Sequence, residues 1–168
     1  MSIDMSRLNV LLVDDNAYMR TLMKQILNAF GVRNIVECAD GSDAIRAMKG
    51  FPVDIVIADW IMEPVDGLDM TRLLRTAKDS PNPLVPIVLL TGHTERHRVE
   101  EARDAGVTEF LAKPVSPKAV YERIREIIEN PRDFVRADRF SGPDRRRKAE
   151  ETPPNVDERR AQEEGGEE

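Results

Sequence analysis

A chain of 168 residues is long enough for one well-buried domain with an appendage, and too short for two ordinary domains plus a linker. The 25 Lys and Arg stand against 31 Asp and Glu, a formal charge of -6, which argues against a general nucleic-acid or anionic-membrane binder, and an aromatic content of 5 % argues against base-stacking surfaces. Cys38 is the one cysteine and has no intrachain disulfide partner; Asp4, Asn9 and Asp14 interrupt the first apolar stretch long before the ~18 residues of a membrane span accumulate. The expected location is the cytoplasm.

The first apolar run, Leu8-Asn9-Val10-Leu11-Leu12-Val13, is short and branched, as a strand buried on both faces should be, and ends at Asp14-Asp15. Met19, Met23, Ile26, Leu27 and Phe30 then repeat at helical steps until Gly31 supplies a stop. A second strand over residues 35–39 leads to a short helix containing Ala44, Ile45 and Met48, ended by Gly50 and Pro52. The third strand, Val53-Asp54-Ile55-Val56-Ile57-Ala58, runs into Asp59, and the helix after it places Met70, Leu73, Leu74 and Ala77 on one face. The fourth strand, Val85-Pro86-Ile87-Val88-Leu89-Leu90, ends at Thr91. Its helix, near residues 95–105, has only Val99 and Ala102 as an apolar stripe and is expected to pack lightly and shift easily. The fifth strand, Val107-Thr108-Glu109-Phe110-Leu111-Ala112, reaches Lys113-Pro114, and Val120, Ile124, Ile127 and Ile128 mark the last helix. Five alternating strand and helix units predict an α/β domain with a parallel sheet.

Beyond Pro131 the periodicity disappears, Pro153-Pro154 and Gly165-Gly166 interrupt any helix, and the end is acidic. Residues 131–168 therefore read as a disordered charged tail. Within it, Phe134-Val135-Arg136 and the segment from Phe140 to Lys148 form a candidate docking motif; Arg145 to Lys148 also raises a nucleic-acid reading, which Glu150-Glu151 and the net acidity oppose.

In an open parallel sheet, ligands bind beyond the carboxyl ends of the strands, where Asp14, Asp15, Asp59, Thr91 and Lys113 are expected to converge. Singly, such residues are usually helix caps or solvated charges; five at matching strand ends make that account poor. The turn after the first strand is acidic where a nucleotide site needs glycines and free N–H groups. Three carboxylates suit a hard divalent cation, Mg²⁺, which turns phosphate repulsion into attraction. Asp59 is then suited to nucleophilic attack on phosphorus, with Lys113 and Thr91 placed to meet charge on the transferring oxygens.

With these residues in place the sequence resembles the receiver domains of two-component response regulators, most closely the stand-alone chemotaxis-regulator type, over roughly residues 6–130. Asp14 and Asp15 match the metal-binding pair, Asp59 the phosphoacceptor, Thr91 the switch hydroxyl, Lys113-Pro114 the phosphate-binding lysine with its cis-proline, Phe110 the switch aromatic, and Asp66-Gly67 the turn into the third helix. The resemblance implies a doubly wound five-stranded (βα)5 flavodoxin-like fold with strand order 2-1-3-4-5, a Mg²⁺ site of Asp14, Asp15, Asp59 and the Ile61 backbone carbonyl, and phosphotransfer to Asp59 from a histidine kinase or histidine phosphotransfer protein. It further implies output to a downstream protein through the fourth helix, fifth strand and fifth helix, self-catalysed phosphorylation and dephosphorylation without enzymatic turnover of external substrates, and a monomer or weak phosphorylation-dependent dimer. A phosphorelay intermediate and a tail-mediated nucleic-acid-binding regulator are the alternatives.

The match departs in detail. Pro64 lies one residue further from the phosphoacceptor than in the commonest pattern, and Ile61 and His93 hold the positions that tune phosphoryl loss, which predicts slow autodephosphorylation. His93 and His97 otherwise read as surface residues, Trp60 as packing beside the site, and Phe110, by itself, as core.

Overall fold

Apolar side chains at alternate positions point to opposite faces of a strand, and here both faces are covered. The strands are β1 (Asn9–Val13), β2 (Asn34–Cys38), β3 (Ile55–Asp59), β4 (Ile87–Thr91) and β5 (Glu109–Ala112). In the computed structural model, which describes residues 3–132, 134–137 and 140–143, they form one parallel sheet in the order β2-β1-β3-β4-β5. Val10 lies opposite both Ile35 and Ile55, and Leu89 opposite Phe110. Strands β3 and β4 are buried along their whole length.

Leu11, Val13, Val56, Ala58, Ile87 and Leu89 face α2 (Gly41–Met48), α3 (Gly67–Thr76) and α4 (Val99–Ala105), whose Ala44, Met48, Leu68, Met70, Leu74 and Ala102 complete one core layer. Val10, Leu12, Ile55, Ile57, Val88 and Leu90 face α1 (Ala17–Ala29) and α5 (Pro117–Glu129) through Met23, Ile26, Leu27, Val120 and Ile124. Asn16, Asp40, Asp66 and Ser116 cap α1, α2, α3 and α5 by accepting bonds from amides of the first turn. Gly31 and Gly106 end α1 and α4 at φ 94° and 106°, which side chains rarely tolerate. Among the described residues no helix is long and apolar enough to cross a membrane.

Three details correct the sequence-based expectations. Leu73 is 45 % exposed, and Ala77 lies just past α3 in an extended conformation, so the buried stripe of that helix runs through Leu68, Met70 and Leu74 instead. The helix expected over residues 95–105 begins with a 3₁₀ turn, Arg96–Arg98, before α4 proper. The tail expected to be disordered from residue 131 contains an antiparallel hairpin, β6 (Phe134–Ala137) and β7 (Phe140–Pro143), with Phe134 opposite Pro143 and Ala137 opposite Phe140. A strand of four residues containing an arginine is too short for a period-two signal, although Phe and Val favour the conformation. The rest of the expected tail, including Arg145 to Lys148, lies outside the described residues.

Candidate functional site

The parallel sheet brings its carboxyl edge together around Asp59, the last residue of β3. Asp59 is 7 % exposed, and its Oδ1 lies 2.8 Å from Lys113 Nζ. Lys113 follows β5, and its N–H donates to the Thr91 carbonyl at 2.9 Å, extending the β4–β5 ladder by one rung and fixing the root of the lysine. Asp14 is held in the same manner, its N–H donating to the Cys38 carbonyl at 3.0 Å. Its Oδ1 accepts from the Asn16 amide at 2.8 Å, while Asn16 itself caps α1. Asp15 is exposed at the mouth. One carboxylate oxygen from each of Asp14, Asp15 and Asp59 lies within 4.8 Å of the others.

Three carboxylates this close repel one another, and one of them has been taken out of water. Burial pushes the Asp14 carboxyl up to about 6, and the charges of Asp59 and Asp15 push the same way against the lowering effects of the Asn16 amide and Lys113. Asp14 Oδ2 is buried and has no hydrogen-bond partner among the described residues. An orphaned carboxylate oxygen beside two further carboxylates is the donor set of a hard divalent cation, which would relieve both the repulsion and the desolvation. The residues present fit Mg²⁺, with Asp14, Asp15 and Asp59 as the side chains that would hold it.

Thr91 is buried, and its hydroxyl donates to the Leu111 carbonyl at 3.4 Å, a long bond that is easily surrendered. Phe110 is half-buried on the neighbouring strand and packs against the α2–α4 layer, with the Arg103 guanidinium 5.8 Å from its ring. Ile61 projects from the loop after β3 and is 58 % exposed. His93 and His97 are both exposed. Trp60 is fully buried with the Arg98 guanidinium 5.4 Å from its ring, which joins the residue beside Asp59 to the entrance of α4. The Glu63–Pro64 and Lys113–Pro114 bonds are both cis, the second as the resemblance implies.

Two positions contribute more than the sequence reading assigned to them. A Cβ on Gly67 would meet the Asp59 carbonyl oxygen at 2.4 Å and Leu89 Cδ1 at 2.5 Å, so the missing side chain allows α3 to start directly against the backbone of the candidate phosphoacceptor. Arg20, one turn into α1, donates from Nη1 to the Asp14 carbonyl and pairs with Glu37 at 3.5 Å. Its signal in the sequence was weak, because an arginine on a helix six residues after an aspartate reads as solvated surface.

A family model for the response regulator receiver domain matches residues 10–125. The Pseudomonas aeruginosa chemotaxis protein CheY is 30 % identical over 122 residues, covering 73 % of this chain and 97 % of that protein. The Vibrio cholerae chemotaxis protein CheY-3 is also 30 % identical over 122 residues, covering 73 % and 92 %. Among solved structures, the receiver domain of the sensor histidine kinase PA1611 from Pseudomonas aeruginosa, with a magnesium ion coordinated in its active-site cleft, superposes with a TM-score of 0.64 at 28 % identity over 73 % of this chain and 98 % of that one. Vibrio cholerae CheY4 gives a TM-score of 0.65 at 26 % identity over 71 % and 98 %. Strand order, acidic cluster and sequence match agree: the chain belongs to the response regulator receiver domain family of two-component signalling, and the two proteins 30 % identical to it are chemotaxis proteins of the CheY type.

Proposed function

We propose that this chain is a phosphorylation-controlled binding module. Asp59 accepts a phosphoryl group from the phosphohistidine of a histidine kinase or histidine phosphotransfer protein, and the domain reports its state to a downstream protein through the face formed by α4, β5 and α5. The observation that carries this reading is Asp59 itself, buried at the focus of three carboxylates with a lysine ammonium 2.8 Å from its oxygen. An isolated structural ion pair explains Lys113 but leaves Asp14 and Asp15 as an unexplained cost.

In the reaction, a carboxylate oxygen of Asp59 forms the new bond to phosphorus as the bond from phosphorus to the donor nitrogen breaks and the electron pair leaves with the imidazole. Asp14, Asp15 and Asp59, with the Ile61 backbone carbonyl, would hold Mg²⁺, which when bound would supply positive charge to the phosphoryl oxygens. Lys113 exchanges its contact with the Asp59 carboxylate for one with a transferring oxygen, and the Thr91 hydroxyl leaves the Leu111 carbonyl to donate to another. The space left by Thr91 admits Phe110, and the β4–α4 segment adjusts with it.

The magnesium ion in the cleft of the related Pseudomonas aeruginosa receiver domain supports the choice of metal. Nothing in this mechanism turns over an external substrate. The exposed apolar Ile61 offers no group to orient an attacking water, so the phosphoryl group is lost slowly. Trp60 provides the test. Its fluorescence should change on titration with Mg²⁺ and again on adding a small acyl phosphate, with the second change absent in Asp59→Asn; a silent wild type with intact secondary structure would rule the reading out.

A further inference from the structure

The family match ends at residue 125, so the hairpin and the segment leading to it stand outside the part that explains the fold. They are nevertheless joined to it at two charged residues of the receiver domain, Arg75 and Glu109, that are buried in the full chain. Arg75, at the end of α3, is 2 % exposed. Its Nε donates to the Gly106 carbonyl at the end of α4 (3.1 Å), its Nη1 donates to the Pro83 carbonyl (2.8 Å), and its guanidinium lies 5.7 Å from the centre of the Phe134 ring. Burial lowers the Arg75 pKa to about 10, so the group remains charged at neutral pH, and an aromatic face is one of the few partners that stabilise a cation without exposing it to water.

Glu109, which opens β5, is 6 % exposed, and its Oε1 accepts from Arg132 Nη2 at 3.0 Å. Arg132 lies between α5 and β6. A third attachment is the hairpin backbone: β7 lies against α4 and α3, with Gly142 and Pro143 buried. The extension thus covers one buried cation, pairs one buried anion and flanks the helix that has least hold of its own. Helix α4 has seven residues, one buried side chain, Ala102, and no side-chain cap.

We propose that the β6–β7 hairpin is a latch on α4, so that the position of α4 and the seating of the hairpin form one coupled equilibrium. The link is mechanical. Arg75 is rooted in the well-packed α3 and spans from Gly106 to Phe134, so displacement of the end of α4 draws the guanidinium from beneath the ring, and loss of the ring leaves the guanidinium free to release Gly106. Coupling of this kind is reciprocal. A seated hairpin opposes the movement of α4, and a moved α4 loosens the hairpin. This deepens the proposed function: it makes the extension a part of the output face that phosphorylation of Asp59 would reposition, and only that last step rests on the phosphorylation reading.

Hydrogen exchange of the full chain, followed by mass spectrometry of peptides covering α1, α3, α4 and the hairpin, separates the two claims. Without phosphodonor, Phe134→Ala and, independently, Arg132→Gln should each speed exchange in α4 by about five- to tenfold while leaving α1 and α3 at wild-type rates. Exchange in α4 unchanged in both variants would overturn the latch. Arg132→Gln keeps the hairpin's own sequence, so it decides the matter if Phe134→Ala fails to fold. In the wild type with Mg²⁺ and a small acyl phosphate, α4 and the hairpin should become more exchangeable together; a response of α4 with no response of the hairpin would also overturn it. Failure to gain a phosphoryl group, seen in the intact mass, would count against the function and leave the phosphodonor-free arm to judge the latch.

Discussion

Helices α3 and α4 lie side by side on the same face of the sheet, yet they are anchored in opposite ways. Asp66 caps α3 by accepting from the Asp69 amide at 2.8 Å, Thr71 donates to the Gly67 carbonyl, and Leu68, Met70, Leu74 and Arg75 are buried. Helix α4 is entered through a 3₁₀ turn without a side-chain cap and buries Ala102 alone. Across the gap, Arg72 meets Glu101 at 3.1 Å, but both are largely exposed and the pair adds little. One helix therefore serves as a fixed wall beside Asp59, while its neighbour is positioned by contacts at its ends: Arg98 against Trp60 at one, Arg75 and the hairpin at the other. A switch needs both kinds, a rigid frame for the chemistry and an element whose displacement costs little.

Leu74→Ala strikes the fixed wall and should have the largest effect, lowering global stability by about 2–5 kcal/mol in chemical denaturation. A loss below about 1 kcal/mol would mean that α3 is no better anchored than α4. Gly67→Ala forces a Cβ against the Asp59 carbonyl oxygen, and at least one of the two must move. It should lower Mg²⁺ affinity as well as stability, the latter by about 1–3 kcal/mol.

Asp14→Asn should act in opposite directions on fold and site. The folded carboxyl titrates near 6 against 3.8 for the unperturbed group, so between these values the folded chain holds more protons than the unfolded one. The Asp14 contribution to the stability of the metal-free protein consequently becomes less favourable as pH rises from 4 to 6 and reaches its full cost above that window, up to about 3 kcal/mol, read as the difference between wild type and the Asn variant. The Asn variant should melt higher than the wild type at about pH 8 without metal and should lose its thermal response to Mg²⁺. A wild type whose stability climbs through the same pH window, with the variant unchanged, would contradict that assignment.

Smaller effects sharpen the contrast between the two helices. Asp66→Ala removes the α3 cap and should cost about 1 kcal/mol. Glu101→Gln breaks exposed pairs with Arg72 and Arg98; it should leave the denaturation midpoint within error and appear only as faster amide exchange in α4.

The division into firmly and lightly packed parts was partly legible before the structure. Strand runs ending at Asp14, Asp59, Thr91 and Lys113 predicted the carboxyl edge, because a parallel sheet has only one such edge and short branched runs leave little freedom in register. The weak stripe of Val99 and Ala102 announced the light packing of α4. Leu73 misled because helical spacing identifies a stripe but not its boundary, and at the edge of a stripe an exposed leucine and a buried one look alike. Arg75 and Glu109 were illegible for another reason. A buried charge is betrayed only by its partners. Those of Arg75 are the backbone carbonyls of Gly106 and Pro83, which carry no sequence signal, and Phe134; that of Glu109 is Arg132. Phe134 and Arg132 lie in a segment whose local composition reads as solvated. Gly67 showed as a turn residue; its approach to the Asp59 backbone depends on how α3 sits on the sheet, which no local pattern encodes.

The most direct measurement is the intact mass of the full chain after incubation with a small acyl phosphate, with and without Mg²⁺, for the wild type and for Asp59→Asn. The wild type should gain one phosphoryl group only when Mg²⁺ is present, and the variant none. A gain that persists in Asp59→Asn, or a wild type that stays unmodified in the presence of Mg²⁺, would contradict the assignment of Asp59 as the phosphoacceptor of a metal-dependent switch.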